Sequence, residues 1–170
     1  MNWARDRRWH FARGSHHRRA MGTMFSCASS TGATWSPVYN EGRVARILIA
    51  EDEEALRTLV ARALAIDGHD VTTANDGAEA LDLLTREQGA FELLLTDIRM
   101  PIMDGIALAL AAARDHPALV ILLMTGFADQ RERASGLDTL IHDVITKPFT
   151  LGTIRSAVSN AVAAGAARGH

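Results

Sequence analysis

The stretch LLLTDIRMPIMDG, Leu93–Gly105, decides how this chain is read. Three leucines run straight into a carboxylate, Asp97, followed by Pro101 and then by a second acid and a glycine, Asp104 and Gly105. In an open parallel sheet, ligands bind just beyond the carboxyl ends of the strands. Asp97 is therefore expected at such an edge, held by a rigid strand. Whether the edge is a site depends on what the other strands deliver to it.

From Arg46 onward two kinds of segment alternate. RILIA (Arg46–Ala50) is a short β-rich run, and EEALRTLVARALAIDG (Glu53–Gly68) carries Leu56, Leu59, Val60, Ala63 and Leu64 at helical spacing before Gly68 stops it. HDVTTA predicts a second strand, and AEALDLLTRE a helix with Ala80, Leu81, Leu83 and Leu84 inward. FELLLT is the third strand, and GIALALAAARDH a helix that ends near Pro117. ALVILLMT is the most apolar strand, as a central parallel strand should be. ADQRERASG (Ala128–Gly136) predicts a short polar helix, LIHDVIT a fifth strand, and LGTIRSAVSNAVAAGA a closing helix. Five βα units in succession imply a doubly wound α/β domain with a parallel sheet and helices on both faces. The flavodoxin-like strand order 2-1-3-4-5 is expected. Neither a Gly-x-Gly-x-x-Gly nor a P-loop signature is present, which excludes those nucleotide-binding readings.

The predicted strand ends carry matching chemistry. Strand one runs into Glu51-Asp52, strand three into Asp97, strand four into Thr125, and strand five into Lys147-Pro148. Three carboxylates, a hydroxyl and the only lysine of the chain thus converge on one edge. Clustered carboxylates repel and raise one another's pKa values, and a divalent cation relieves that cost. All-oxygen ligation by a few side chains is how Mg²⁺ is usually held. A carboxylate can act as a nucleophile and carry an aspartyl-phosphate. Phosphoryl transfer asks for a metal and fixed donors around the phosphoryl oxygens, and Thr125 and Lys147 supply such donors. Asp97 is the expected phosphoacceptor.

The motifs ILIAEDEE, LLLTDIRMPIMDG, ILLMTG and ITKPF, in this order and each at a strand end, resemble those of the response-regulator receiver domains of two-component signalling. The resemblance implies a CheY-like (βα)5 fold for residues 44–164. It also implies Asp52 as a direct Mg²⁺ ligand, with Asp97 itself on the metal. Glu51 would act largely through water, and the backbone carbonyl of Arg99 would be a further ligand. Thr125 and Lys147 would contact the phosphoryl group, and Lys147–Pro148 would be a cis peptide. The implied role is that of a cytoplasmic Mg²⁺-dependent phosphoacceptor rather than an enzyme, autodephosphorylation apart. Its partner would be a histidine kinase or a histidine phosphotransferase.

A narrower resemblance is carried by ARILIAEDEEALRTLVARAL, MDGIALAL, ILLMTGFADQRERA and LIHDVITKPFTL. These are similar to the CpdR family of single-domain regulators in alphaproteobacterial cell-cycle control. That likeness implies an adaptor that, unphosphorylated, engages ClpX of the ClpXP protease and its substrates. The alternative is a phosphorelay intermediate or a chemotaxis-type regulator with another partner. A haloacid-dehalogenase-type phosphatase is disfavoured, because the second Asp it needs two residues after the nucleophile is here Arg99. One departure matters: three residues before the lysine most receivers carry Tyr or Phe, and here stands Val144. Phe127 is the candidate replacement aromatic. His142 is expected to be structural, and Glu53 and Glu54 to favour the N-terminus of the first helix.

The first 43 residues read differently from the rest. They hold seven arginines against Asp6 and Glu41, a net of +5, and all three tryptophans, with no sustained period. A disordered basic extension, or one upstream of a true start at Val44, is expected in preference to a nucleic-acid-binding arm. Residues 165–170 are expected to form a short disordered tail with no effector domain after it. Arg7-Arg8 are followed by no apolar run, which argues against a twin-arginine signal. No window of 18 apolar residues predicts a membrane span. The single cysteine, Cys27, excludes an internal disulfide framework and fits a reducing compartment.

Overall fold

A computed structural model describes residues 43–126 and 135–168. The elements are β1 (Arg46–Ala50), α1 (Glu54–Ile66), β2 (Asp70–Ala74), α2 (Gly77–Arg86), β3 (Leu93–Asp97), α3 (Gly105–Asp115), β4 (Val120–Thr125), a 3₁₀ turn (Ser135–Leu137), β5 (Asp143–Thr146) and α4 (Leu151–Arg168). All strand pairings are parallel, and the sheet order is β2-β1-β3-β4-β5. The predicted doubly wound α/β fold is the one observed.

Strand alternation divides the core into two layers. Ile47, Ile49, Leu93, Leu95, Leu122 and Met124 face α1 and α4, where Val60, Leu64, Ile154 and Val158 meet them. Leu48, Ala50, Leu94, Ile121 and Leu123 face α2 and α3, against Ala80, Leu84, Leu108 and Ala112. A sheet covered on both sides needs apolar residues at both parities, which is why β3 opens on three consecutive leucines and β4 is apolar from Val120 to Met124. The helix ends follow local chemistry. Gly68 (φ +94°) follows the last turn of α1; its N–H donates to Ala65 O and that of His69 to Leu64 O, a Schellman closure. Asp76 caps α2 by accepting from the Glu79 N–H at 2.9 Å.

The loop after Asp97 is tightly fixed. Asp104, the second acid of the opening stretch, caps α3 by accepting from the Ala107 N–H at 2.7 Å. Ile102, with φ +67°, lies inside a γ-type turn closed by the Met103 N–H on Pro101 O at 2.7 Å. This β-branched residue pays backbone strain in the left-handed region. Gly105 donates its N–H to Ile98 O at 3.0 Å, and a Cβ there would lie 2.0 Å from the Asp97 carbonyl oxygen. Only glycine lets α3 start this close to the strand that carries Asp97.

Some expectations are corrected. Leu59, placed on the inner face of α1, is 50% exposed, because the face that packs is narrower and centred on Val60, Ala63 and Leu64. β5 is shorter than LIHDVIT: Leu140, Ile141 and His142 precede it, with Ile141 buried and the His142 N–H donated to Ile121 O. Helix α4 continues to Arg168, so residues 165–168 are helix rather than tail. The alanine-rich sequence favours it, and Gly165 lies so close to β4 that a Cβ would meet Val120 Cγ2 at 2.7 Å. The expected basic extension lies outside the described residues apart from Arg43, as do Phe127 and most of the expected polar helix, Ala128–Ala134.

Gly105→Ala is expected to cost about 1–3 kcal/mol in urea unfolding, the usual range for overpacking. Gly136→Ala, where a Cβ meets nothing within 4 Å, is the control and should stay near wild type.

Candidate functional site

The strand register assembles the pocket. Ala50 pairs with Thr96, which brings Glu51, the next residue, level with Asp97. Asp97 pairs with Met124, so Thr125 follows one residue later, and Thr125 pairs with Thr146, immediately before Lys147. The sequence-predicted residues Glu51, Asp52, Asp97, Thr125 and Lys147 thus share the carboxyl edge of the sheet, at the β1/β3 switch point.

Glu51 and Asp97 are buried, at 1% and 6% exposure, whereas Asp52 is exposed. Lys147 Nζ donates to Glu51 Oε2 at 2.8 Å and pairs with Asp97 Oδ1 at 3.0 Å. The remaining oxygens take backbone donors. Glu51 Oε1 accepts from the Glu53 N–H at 3.3 Å, and Asp97 Oδ2 from the Arg99 N–H at 3.2 Å. Arg99 therefore meets Asp97 through its backbone, while its side chain stays exposed. Thr125 is fully buried, and its carbonyl accepts from the Lys147 N–H at 2.6 Å. The Lys147–Pro148 peptide is cis.

Burial dominates the electrostatics. It pushes the carboxyl of Asp97 above its ordinary value, against the attraction of Lys147. It does the same at Glu51, where Lys147 again opposes the shift and Asp97 adds to it. Burial alone would lower Lys147, but its bonds to the two carboxylates outweigh that and hold it charged. One ammonium does not compensate three acids. Carboxylate oxygens of Glu51, Asp52 and Asp97 all lie within 4.8 Å of one another, an all-oxygen donor set that fits a hard divalent cation. A Mg²⁺ held by these side chains would neutralise charge on a transferring phosphoryl group.

Other expected residues have plainer places. Glu53 is the N-cap residue of α1 without a side-chain cap bond, and Glu54 lies in its first turn. Val144 is half-buried against the α2/α3 core layer, and His142 is half-buried. Sequence reasoning missed Arg57, whose guanidinium reaches the backbone of the Glu51–Asp52 turn. The available signal was a cation close to a helix N-terminus, where positive charge is disfavoured without a compensating contact.

A doubly wound α/β domain with an acidic pocket and a lysine at its switch point defines the class. The chain matches the family described as Response regulator receiver domain over residues 47–159, and it belongs to that family. It is 36% identical over 106 residues to the response regulator MprA of Mycobacterium leprae, covering 62% of this chain and 46% of that protein. The chain thus spans about half the length of the curated relatives it matches. Among solved structures it is similar to NtrX from Brucella abortus, with a TM-score of 0.68 and 28% identity over 74% of this chain and 28% of that one. It is also similar to TrrA from Thermotoga maritima, solved in complex with Mg(2+)-BeF, with a TM-score of 0.63 and 26% identity over 69% and 99% of the two chains. No helix among the described residues is long and apolar enough to cross a membrane.

Lys147→Met is expected to lower stability at pH 7 by about 3–5 kcal/mol, because it leaves two buried carboxylates unpaired. Raised carboxyl pKa values mean the folded state binds protons more readily than the unfolded one, so the cost of ionised Glu51 and Asp97 is relieved as pH falls through their folded values. The deficit of the variant in urea unfolding should therefore shrink between pH 7 and pH 4.

Proposed function

We propose that this chain is a phosphorylation-switched regulator whose phosphoacceptor is Asp97. The observation that carries the reading is the Asp97 carboxylate, buried at the sheet edge, paired with Lys147 and grouped with Glu51 and Asp52. An Asp97 oxygen attacks the phosphorus of a phosphohistidine donor, the P–N bond breaks, and the imidazole leaves as a neutral ring that keeps the proton already on its other nitrogen. Lys147 and the Thr125 hydroxyl bind the transferred phosphoryl oxygens and take up their charge. Asp52, Asp97 and the Arg99 carbonyl would hold Mg²⁺, with Glu51 acting through water, and the bound cation would supply further neutralisation; the acidic donor set supports this, and TrrA was solved with Mg(2+)-BeF. A histidine kinase or phosphotransferase is the donor.

The output we infer is an adaptor for ClpXP, active when unphosphorylated. Its support is the CpdR-like run of motifs from Ala45 to Leu151. The engaging surface is assigned to the region from Ala128 to about Ala164, of which residues 135–164 are described; within it Lys147 reaches the pocket. Phosphorylation shifts the population between two arrangements of that face; Val144 stands where the usual aromatic lever would be and cannot swing in the same way.

One experiment tests both levels. The chain is treated with a small-molecule phosphodonor and Mg²⁺, mapped by mass spectrometry, and titrated against the N-terminal domain of ClpX. One phosphoryl group on Asp97, absent from Asp97→Asn, is expected, together with weaker ClpX binding after phosphorylation. Labelling of Asp97→Asn at the wild-type stoichiometry would refute the phosphoacceptor. Tighter binding on phosphorylation, or none in either state, would refute the adaptor alone.

A further inference from the structure

Neighbouring residues on an extended strand point to opposite faces of the sheet. Glu51 and Asp52 are neighbours directly after β1, yet both bring a carboxylate oxygen to the cluster that includes Asp97. The backbone must therefore leave the extended conformation between them, and something must hold it there. Glu51 is fixed four times. Its N–H donates to Ala74 O at 3.3 Å, its two carboxylate oxygens accept from the Glu53 N–H and Lys147 Nζ, and its carbonyl is bonded to Arg57. Asp52 is exposed, and its carbonyl too accepts from Arg57.

Arg57 stands on the opening turns of α1, with its own N–H donated to the Glu53 carbonyl at 2.9 Å. Its Nη1 donates to the carbonyl oxygens of both Glu51, at 2.6 Å, and Asp52, at 3.3 Å. Two consecutive carbonyls converging on one nitrogen mark the turn at which the strand ends. A guanidinium suits this task because its planar donors are fixed relative to one another and always charged. Bonds from it to neutral carbonyls are charge-assisted and stronger than ordinary ones. The same contact joins the start of α1 to the loop that carries Asp52, alongside the bond from the Glu53 N–H to Glu51 Oε1.

We propose that Arg57 is a positioning residue for cation binding: it clamps the Glu51–Asp52 turn so that the Asp52 carboxylate faces Asp97. This inference rests on the reading of the pocket as a Mg²⁺ site. The guanidinium bonds to main-chain carbonyls rather than to the carboxylates of the cluster, so it acts through the backbone of two acidic residues.

A cation near an acidic pocket would by field alone oppose Mg²⁺, so the sign of the effect separates positioning from electrostatics. The test is calorimetric titration of Mg²⁺ into the full chain as wild type, Arg57→Met and Arg57→Lys, below each variant's unfolding temperature. Arg57→Met keeps most of the aliphatic stem, removes the donors, and is expected to weaken Mg²⁺ binding roughly tenfold, in line with the loss of hydrogen bonds from a charged group. Arg57→Lys keeps charge without the fork and is expected to recover only part of the affinity. It carries the test alone if Arg57→Met does not fold. Unchanged affinity with lowered thermal stability would reduce Arg57 to a structural contact, and tighter binding would make its role purely electrostatic; either overturns the proposal. Failure of the wild-type chain to bind Mg²⁺ would overturn the pocket reading and this inference together.

Discussion

The Nζ of Lys147 lies between two buried carboxylates, and the chemistry of the sheet edge depends on that arrangement. Glu51 and Asp97 come from neighbouring strands, β1 and β3, and the ammonium from the far end of β5. Without a shared cation, two acids buried this deeply would be expected to protonate or move apart. The pairing constrains the register of strands well separated in sequence. It also leaves the pocket with more negative charge than one lysine can offset, the condition under which a divalent cation is welcome. The same lysine serves as a structural counter-ion in the free protein and as a phosphoryl-binding donor in the proposed reaction.

Around that contact the chain shows a division of labour. The three central strands, β1, β3 and β4, are largely apolar and buried, and they present their chemistry where they end. The loops that follow are held by specific contacts to the backbone as well as by packing of Ile98, Met100 and Met103: the γ-type turn at Ile102, the close approach of Gly105 to the Asp97 carbonyl, and the Arg57 guanidinium on the Glu51–Asp52 turn. A site built on strand ends and tied by such loops is preorganised before any ligand arrives. The exposure of Asp52 beside two buried acids gives a cation a route to the cluster from solvent.

Much of this was legible in the amino-acid order because parallel βα units leave a strong periodic trace. The apolar runs of β3 and β4, the stop at Gly68, and the polar residues after each strand all have direct physical causes. The grouping of Glu51, Asp52, Asp97, Thr125 and Lys147 followed from topology alone, since every parallel strand delivers its end to one edge. What escaped was set by tertiary contact. Leu59 has the spacing of a core residue, but α1 presents a narrower face to the sheet than the pattern implied. Helix α4 gave little amphipathic signal near its end, and its extension to Arg168 comes from alanine content and the fit of Gly165 against β4. Arg57 escaped because its partners are carbonyl oxygens, which composition and motif do not reveal.

The most direct measurement of the central claim is the response of the amide NMR spectrum to beryllofluoride, a mimic of a bound phosphoryl group. With Mg²⁺ and beryllofluoride present, the amide signals of Asp97, Thr125 and Lys147 should move to a new set of positions. The change should vanish when Mg²⁺ is omitted or Asp97 is replaced by Asn. A spectrum unaltered at Thr125 and Lys147, or one altered equally in Asp97→Asn, would contradict the assignment of this pocket as a phosphoacceptor site.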